Sequence, residues 1–147
     1  MKILGNAEHK ILFGDVLEAL NNIEDESVDL IFADPPYNIR KNFGGLKDKW
    51  NTDDEYLSWC YKWIDLCIKK LKPNGSFYVM TSTQFMPYFD IHIRTKLNIL
   101  SRIIWSYDSS VIQAKKYFGS MYEPILFCMN YNKAKDFVVS CYTANSY

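Results

Sequence analysis

The sequence predicts an α/β protein with a mostly parallel, doubly wound sheet that ends in an antiparallel C-terminal hairpin. Strand-like and helix-like segments alternate along the whole chain in the order β-α-β-α-β-α-β-β. Residues 28–33 (VDLIFA) are almost continuously apolar, as suits a strand covered on both faces. No repeat, low-complexity tract or Pro/Gly/Ser linker divides the 147 residues, so one layered unit is the economical reading.

The first strand is expected at 10–13, closed by Gly14-Asp15, with Asp15 capping a short helix that carries Val16, Leu17, Leu20 and Ile23 at helical spacing. The strand 28–33 follows and stops at Asp34-Pro35-Pro36, since two prolines cannot continue a ladder. Residues 53–71 form the clearest helix. Thr52 and Glu55 make a capping box, Tyr56, Cys60, Trp63, Ile64, Cys67 and Leu71 share one face, and Pro73-Asn74-Gly75 ends the run. Lys69, Lys70 and Lys72 complement the C-terminal end of that helix. A strand at 76–81, a helix at 84–96 with Pro87 in its first turn, and a strand at 101–107 come next. After a polar, basic stretch, 108–122, the strands 124–129 and 136–142 are joined by an Asn132-Lys133-Ala134-Lys135 turn as a hairpin.

Composition narrows the function classes. With 48% apolar residues and 17 basic against 17 acidic side chains, the chain is neither disordered nor collagen-like and has ample material for a core. The apolar runs are short and MKILGNAEHK has no signal-peptide pattern, so a soluble, cytoplasmic protein without a membrane segment is expected. Cys60, Cys67, Cys128 and Cys141 form no C-x-x-C pair and read as reduced core fillers, not as metal ligands or a disulfide framework. His9 and His92 are isolated, which supports neither a metal site nor a nucleophilic triad. A net charge of zero is unusual for a protein that grips nucleic acid, and the 16% aromatic share is high.

Ligands of open α/β sheets collect beyond the carboxyl ends of the strands, and Asp34-Pro35-Pro36-Tyr37 stands at such an end. The string combines a carboxylate, two rigid residues that donate no amide hydrogen, and an aromatic face. An amino-bearing ring such as adenine offers two exocyclic hydrogens and a π-face. Asp34 can accept one hydrogen, the Pro35 carbonyl the other, and Tyr37 can stack. Accepting both hydrogens pushes electron density onto the amine nitrogen. The plainer alternative is a Pro-Pro turn capped by Asp34 with Tyr37 as a surface aromatic.

These residues resemble motif IV, [DNS]-P-P-[YFW], of the β-class amino-specific DNA methyltransferases, which move a methyl group from S-adenosylmethionine to adenine N6 or cytosine N4. Ser27-Val28-Asp29-Leu30 resembles the family's S-V-D-L lead into that motif, and Asn38 follows Tyr37 as in D-P-P-Y-N. Gly14-Asp15-Val16-Leu17 is similar to the G-D-x-L segment beside the cofactor's adenosine. Leu71-Lys72-Pro73-Asn74-Gly75-Ser76, Trp105-Ser106-Tyr107 and Tyr122-Glu123-Pro124-Ile125-Leu126 resemble later segments of the catalytic half. The resemblance implies a partial Rossmann-like methyltransferase sheet. It implies that Asp34, Pro35, Pro36 and Tyr37 form the catalytic pocket for a flipped base, with S-adenosylmethionine beside Asp15, Val16, Ala33 and Asp34. Asp at the first motif position favours adenine, with N4-cytosine or RNA as the alternative. No cysteine stands at the active loop, which argues against the covalent C5-cytosine route. Direct attack by the amine needs no nucleophilic residue, and stacking on Tyr37 offsets part of the cost of flipping.

Double-stranded DNA is the expected partner. Arg40, Lys41, Lys47 and Lys49 surround Gly44-Gly45 in 40–51 and read as a flexible basic cover, although Asp48 dilutes the charge and a merely solvated loop is the alternative. Lys115 and Lys116 with Tyr117 and Phe118 form a second basic-aromatic cluster that either contacts DNA or packs at the surface. A cognate restriction nuclease is a further possible partner.

One family feature is missing. The β-class cofactor motif, F-x-G-x-G or a relative, lies C-terminal to the catalytic half, and the six glycines here, Gly5, Gly14, Gly44, Gly45, Gly75 and Gly119, form no G-x-G. The methionine end of the cofactor then has no evident cradle. The strand 28–33 is left as an apolar edge where the family's sheet continues. The expectation is therefore a single incomplete catalytic domain over 1–147 that needs the absent cofactor segment in cis or as a separate chain. A non-catalytic remnant that binds only DNA or a partner fragment is the competing reading.

Overall fold

The chain is described here from a computed structural model that covers residues 10–39, 42–43, 46–107 and 120–130. Helix α1, Val16–Asn21, starts at Asp15, whose Oδ1 accepts the Leu17 N–H at 2.8 Å. Strand β1, Val28–Ala33, leads through the motif to a two-stranded ladder of β2, Asn42–Phe43, and β3, Leu46–Lys47. The segment expected to be a loop cover thus contains a small hairpin. Helix α2, Asp53–Lys70, is capped by Thr52 Oγ1, which accepts the Glu55 N–H at 3.1 Å, while Glu55 Oε2 accepts from Asn51 rather than from Thr52. Strand β4, Leu71–Met80, follows without a break. Helix α3, Met86–Arg94, has Pro87 in its first turn, and strands β5, Asn98–Ser106, and β6, Tyr122–Met129, complete the order.

The main sheet has the order β1-β4-β6-β5, with β1 parallel to β4 and β6 antiparallel to both its neighbours. Three strands therefore run one way and β6 runs against them, which gives a mixed sheet with the expected antiparallel end. The partner strand expected at 136–142 lies outside the described residues. Between Val28↔Leu71 and Leu30↔Ser76 the register slips, so 72–75 bulge from β4 around Asn74, whose φ is 65°.

Three expectations are corrected. Residues 10–13 form no strand, since among the described residues no strand lies beside them to offer a ladder, and Phe13 is 93% exposed. Strand β1 is covered on one face, not two. Ile31 and Ala33 pack on the core, but Leu30 and Phe32 point to the other face and Phe32 is 54% exposed. On that face Phe32, Tyr78 and Phe127 lie side by side across β1, β4 and β6, the Tyr78 and Phe127 rings stacked at 4.4 Å. As expected for a sheet that continues elsewhere in the family, β1 is an edge strand. Finally, His92 is not isolated: Nε2 lies 2.7 Å from Asp65 Oδ1, and its ring stacks on Tyr61.

The core joins the apolar stripe of α2 to Phe89 and Ile93 of α3 and to Phe77, Val79, Leu126 and Cys128 of the sheet. Cys60, Cys67 and Cys128 are free, buried thiols pushed up to about 12 by that burial. Lys69 and Lys70 reach Asp25 at 2.9 and 2.7 Å, and Lys72 reaches Asp29 at 2.8 Å. These cations tie the end of α2 to the start of β1, a more specific task than complementing a helix dipole, and with Lys70 first they hold the Asp25 carboxyl below the usual range. No described helix is long and apolar enough to cross a membrane.

Candidate active site

Because β6 is antiparallel, its first residues share a rim with the carboxyl ends of β1 and β4: Ala33 pairs with Val79, and Met80 pairs with Ile125. Asp34 leaves the sheet at this rim, and Glu123 stands beside it on β6. The Tyr37 hydroxyl donates to Asp34 Oδ1 at 2.7 Å and lies 3.4 Å from Glu123 Oε2. Burial, then the hydrogen bond to Asp34 and the charges of Asp34 and Glu123, pushes the Tyr37 phenol well above the ordinary tyrosine range. The hydroxyl is therefore a donor at any physiological pH.

The rest of the motif is pinned from behind. The buried Tyr56 of α2 donates its hydroxyl to the Pro36 carbonyl at 2.7 Å, and that phenol is pushed up chiefly by burial. Asn38 adopts a left-handed φ of 57°, a conformation that asparagine tolerates. Its N–H and that of Ile39 both donate to the carboxylate of Asp48, at 2.7 and 3.0 Å. Its side chain accepts from the Trp50 N–H at 3.0 Å and donates to Asp53 at 3.1 Å. Among the described residues, Asp34 Oδ2 and the Pro35 carbonyl have no hydrogen-bond partner. Two acceptors of neighbouring residues thus stand at the rim with the half-buried Tyr37 ring, an arrangement able to receive a planar amine.

A cavity of about 740 Å³ adjoins the motif. Asp15, Val16, Ala33 and Asp34, the four residues expected beside a cofactor, all line it with Pro35 and Pro36. The sequence reading missed its far wall, Trp59, Trp63 and Cys67 of α2 with Leu20 of α1. The spacing of 59, 63 and 67 is the i, i+4 signature of a helix stripe, which for Trp63 and Cys67 was absorbed into the core. The buried Trp63 indole stands against the Cys60 thiol. An aromatic wall and two carboxylates fit the adenosyl and sulfonium parts of S-adenosylmethionine. Among the described residues no cation lines the cavity to meet the cofactor's own carboxylate.

Of the residues assigned to DNA, Lys49 is exposed just after the buried Asp48, and Lys47 ends β3. Arg40, Lys41, Lys115, Lys116 and the Lys47 side chain lie outside the described residues. Among the described residues no His/Cys/Asp/Glu group is arranged to hold a metal ion. Glu123, Asp48, Asn38 and Tyr56 were not assigned a role at the site from sequence. Asn38 carries a signal as the residue that follows D-P-P-Y, and Glu123 one as part of the family-like segment Tyr122-Glu123-Pro124-Ile125-Leu126.

Residues 28–146 match the family model described as DNA methylase, of the N6/N4 type. The chain is 54% identical over 122 residues to the DNA adenine methyltransferase YhdJ of Escherichia coli K12, an alignment that covers 83% of this chain and 41% of that protein. It is 44% identical over 90 residues to the type II methyltransferase M.BamHI of Bacillus amyloliquefaciens, covering 60% of this chain and 21% of the relative. The fold is similar to that of the cytosine-N4-specific PvuII DNA methyltransferase, with a TM-score of 0.61, 21% identity, and coverage of 80% of this chain and 47% of that one. The chain therefore spans about two fifths or less of these two sequence relatives. With the family model covering four fifths of its length and the motif at the sheet rim, this chain belongs to the DNA methylase family of N6/N4 type.

Proposed function

We propose that this chain supplies the base-binding part of a methyltransferase that moves a methyl group from S-adenosylmethionine to adenine N6 in double-stranded DNA. The observation that carries the reading is the pair of acceptors, Asp34 Oδ2 and the Pro35 carbonyl, that have no partner among the described residues and stand in the motif with Tyr37. Together they can take both hydrogens of an exocyclic amine, orient its lone pair and raise its electron density. Asp34 in the motif and 54% identity to a relative named as an adenine methyltransferase support adenine over cytosine. S-adenosylmethionine, when bound, supplies an electrophilic methyl group on a sulfonium. Asp15, Val16, Ala33, Trp59 and Trp63 would line its adenosyl side, and the carboxylates of Asp15 and Asp34 suit a positive sulfur.

In this reading the cofactor's methionine end is held by a further segment, in cis or as a separate chain, because the sequence has no G-x-G turn. Residues 1–147 are then a single incomplete catalytic domain, a cytoplasmic protein with DNA as substrate, and a cognate nuclease is its other expected partner. Arg40, Lys41, Lys47, Lys49, Lys115 and Lys116 remain the proposed phosphate contacts.

The test is methyl transfer to duplex DNA with the product base identified by mass spectrometry, alongside calorimetric titration with S-adenosylmethionine. The 147-residue chain alone is expected to show neither micromolar cofactor binding nor transfer. Joined to the remaining portion of the 54%-identical relative, it should produce N6-methyladenine and lose transfer on Asp34→Ala. An N4-methylcytosine product, or transfer retained by Asp34→Ala, overturns the reading, and transfer by the isolated chain overturns the need for a further segment.

A further inference from the structure

The Tyr37 hydroxyl has one hydrogen to give and two carboxylates within reach, Asp34 Oδ1 at 2.7 Å and Glu123 Oε2 at 3.4 Å. In the structure Asp34 receives it at the shorter distance. That arrangement opposes the chemistry expected of Asp34 in two ways. A hydroxyl oxygen 2.7 Å from Oδ1 fills space beside the carboxylate that an incoming amine needs. A hydrogen bond donated to the carboxylate also withdraws electron density from the group that should push density toward the amine.

We propose that Glu123 is a positioning residue that takes the Tyr37 hydroxyl from Asp34 when the amine of the target base arrives, an inference that rests on Asp34 and Tyr37 being the amine site. The topology favours the exchange. Glu123 belongs to β6 and pairs with Trp105 on β5, two residues before the β4 ladder begins at Ile125, so its position is set by the sheet and not by the motif loop. Swinging Tyr37 Oη toward this fixed acceptor lengthens its contact with Asp34, releases the full acceptor strength of that carboxylate, and sets the ring against a second fixed point. If Glu123 were absent, the half-buried Tyr37 hydroxyl would exchange its bond to Asp34 for no fixed protein acceptor at this position, and that loss would oppose opening. Glu123 thus acts through Tyr37 and needs no contact with the base.

The test uses the 147-residue chain labelled with carbon-13 at tyrosine Cζ and titrated with deoxyadenosine, with affinity and the Tyr37 signal both read by NMR. On saturation the Tyr37 signal of the unaltered chain should move. Glu123→Ala should weaken deoxyadenosine binding about tenfold, the equilibrium factor for one lost hydrogen bond. Glu123→Gln, whose amide oxygen still accepts, should restore affinity to within about threefold. In a Tyr37→Phe background Glu123→Ala should have no further effect, since the hydroxyl through which Glu123 acts is gone. Unchanged affinity in Glu123→Ala, or an equal loss in the Tyr37→Phe background, overturns the handover. Asp34→Ala separates the two claims: loss of binding there with a neutral Glu123→Ala sinks the handover alone. No binding by the unaltered chain, or none lost in Asp34→Ala, overturns the amine site and the handover together.

Discussion

Replacing Asp48 should damage the active loop more than any cation around it would. This side chain is 4% exposed, and its two oxygens accept the backbone N–H groups of Asn38 and Ile39 at 2.7 and 3.0 Å. A hydrogen bond to a charged group contributes roughly 1.5–3 kcal/mol, and bonds sharing one carboxylate are not fully additive. Asp48→Ala removes both and leaves two N–H donors facing a cavity, so a loss of about 3 kcal/mol is expected. Asp48→Asn keeps one acceptor but turns the other oxygen into an NH₂ that faces a donor, for a loss of about 2 kcal/mol. Urea unfolding followed by fluorescence measures both, and the midpoint should fall with the slope unchanged. Amide exchange should accelerate locally at Asn38 and Ile39, because a left-handed Asn38 no longer has its clamp. A loss below about 0.5 kcal/mol for Asp48→Ala, with exchange at those two amides unchanged, would refute the assignment of Asp48 as the clamp.

Thr52→Ala should lower stability by about 1 kcal/mol through loss of the cap on Glu55, and Thr52→Ser should restore most of it in the same unfolding assay. Gly75→Ala places a Cβ 2.9 Å from the Lys72 carbonyl and 3.2 Å from that of Val28, backbone atoms with little freedom to yield, so a loss of about 1–3 kcal/mol is expected by thermal unfolding. Burial raises the thiols of Cys60, Cys67 and Cys128 from 9.0 to about 12, so native protein should resist iodoacetamide at all three while urea-unfolded protein reacts, as peptide mass mapping can read. The sign of the linked pH effect follows. The unfolded chain gives up these protons first, so their contribution to stability is complete below about pH 9 and is lost as pH rises toward about 12. Unfolding midpoints that stay level across that window would contradict it.

Where the sequence was legible, one local rule was at work. The helical stripe from Tyr56 to Cys67, the caps at Asp15 and Thr52, and the proline stop after Ala33 all depend on neighbours within a few positions, and all appear in the structure. The failures share the opposite property. Residues 10–13 have strand-like composition, but a strand requires a partner, and none is placed beside them among the described residues. The nearly all-apolar β1 was read as doubly covered, although it lies at the sheet edge with Phe32 exposed. Asp48 was read as a charge diluting a basic loop because nothing in its neighbours reveals that it turns inward to the amides of Asn38 and Ile39. Glu123 escaped notice as a site residue because it joins the rim only when β6 pairs antiparallel to β4, with 86 residues of chain between it and Tyr37.

The structure also divides the motif's acceptors between two tasks, which sequence spacing alone leaves open. Two successive prolines offer two carbonyls with no amide hydrogen between them. Tyr56 takes the Pro36 carbonyl at 2.7 Å from the core side, so that group becomes an anchor, and the Pro35 carbonyl remains for a ligand. Asp34 is divided in the same manner, with Oδ1 engaged by Tyr37 and Oδ2 open. The Pro35 carbonyl and the Asp34 carboxylate thus stand on opposite supports, the buried ring of Tyr56 behind the loop and the Tyr37 hydroxyl at the rim, and the handover to Glu123 releases the second of these when an amine binds. Tyr56→Phe separates these supports. The ring and its packing against Trp50 and Phe85 persist, while the anchor on Pro36 is lost. If anchoring Pro36 is what aims Pro35, that single oxygen should matter more to amine binding than to the roughly 1 kcal/mol of stability that a hydrogen bond contributes.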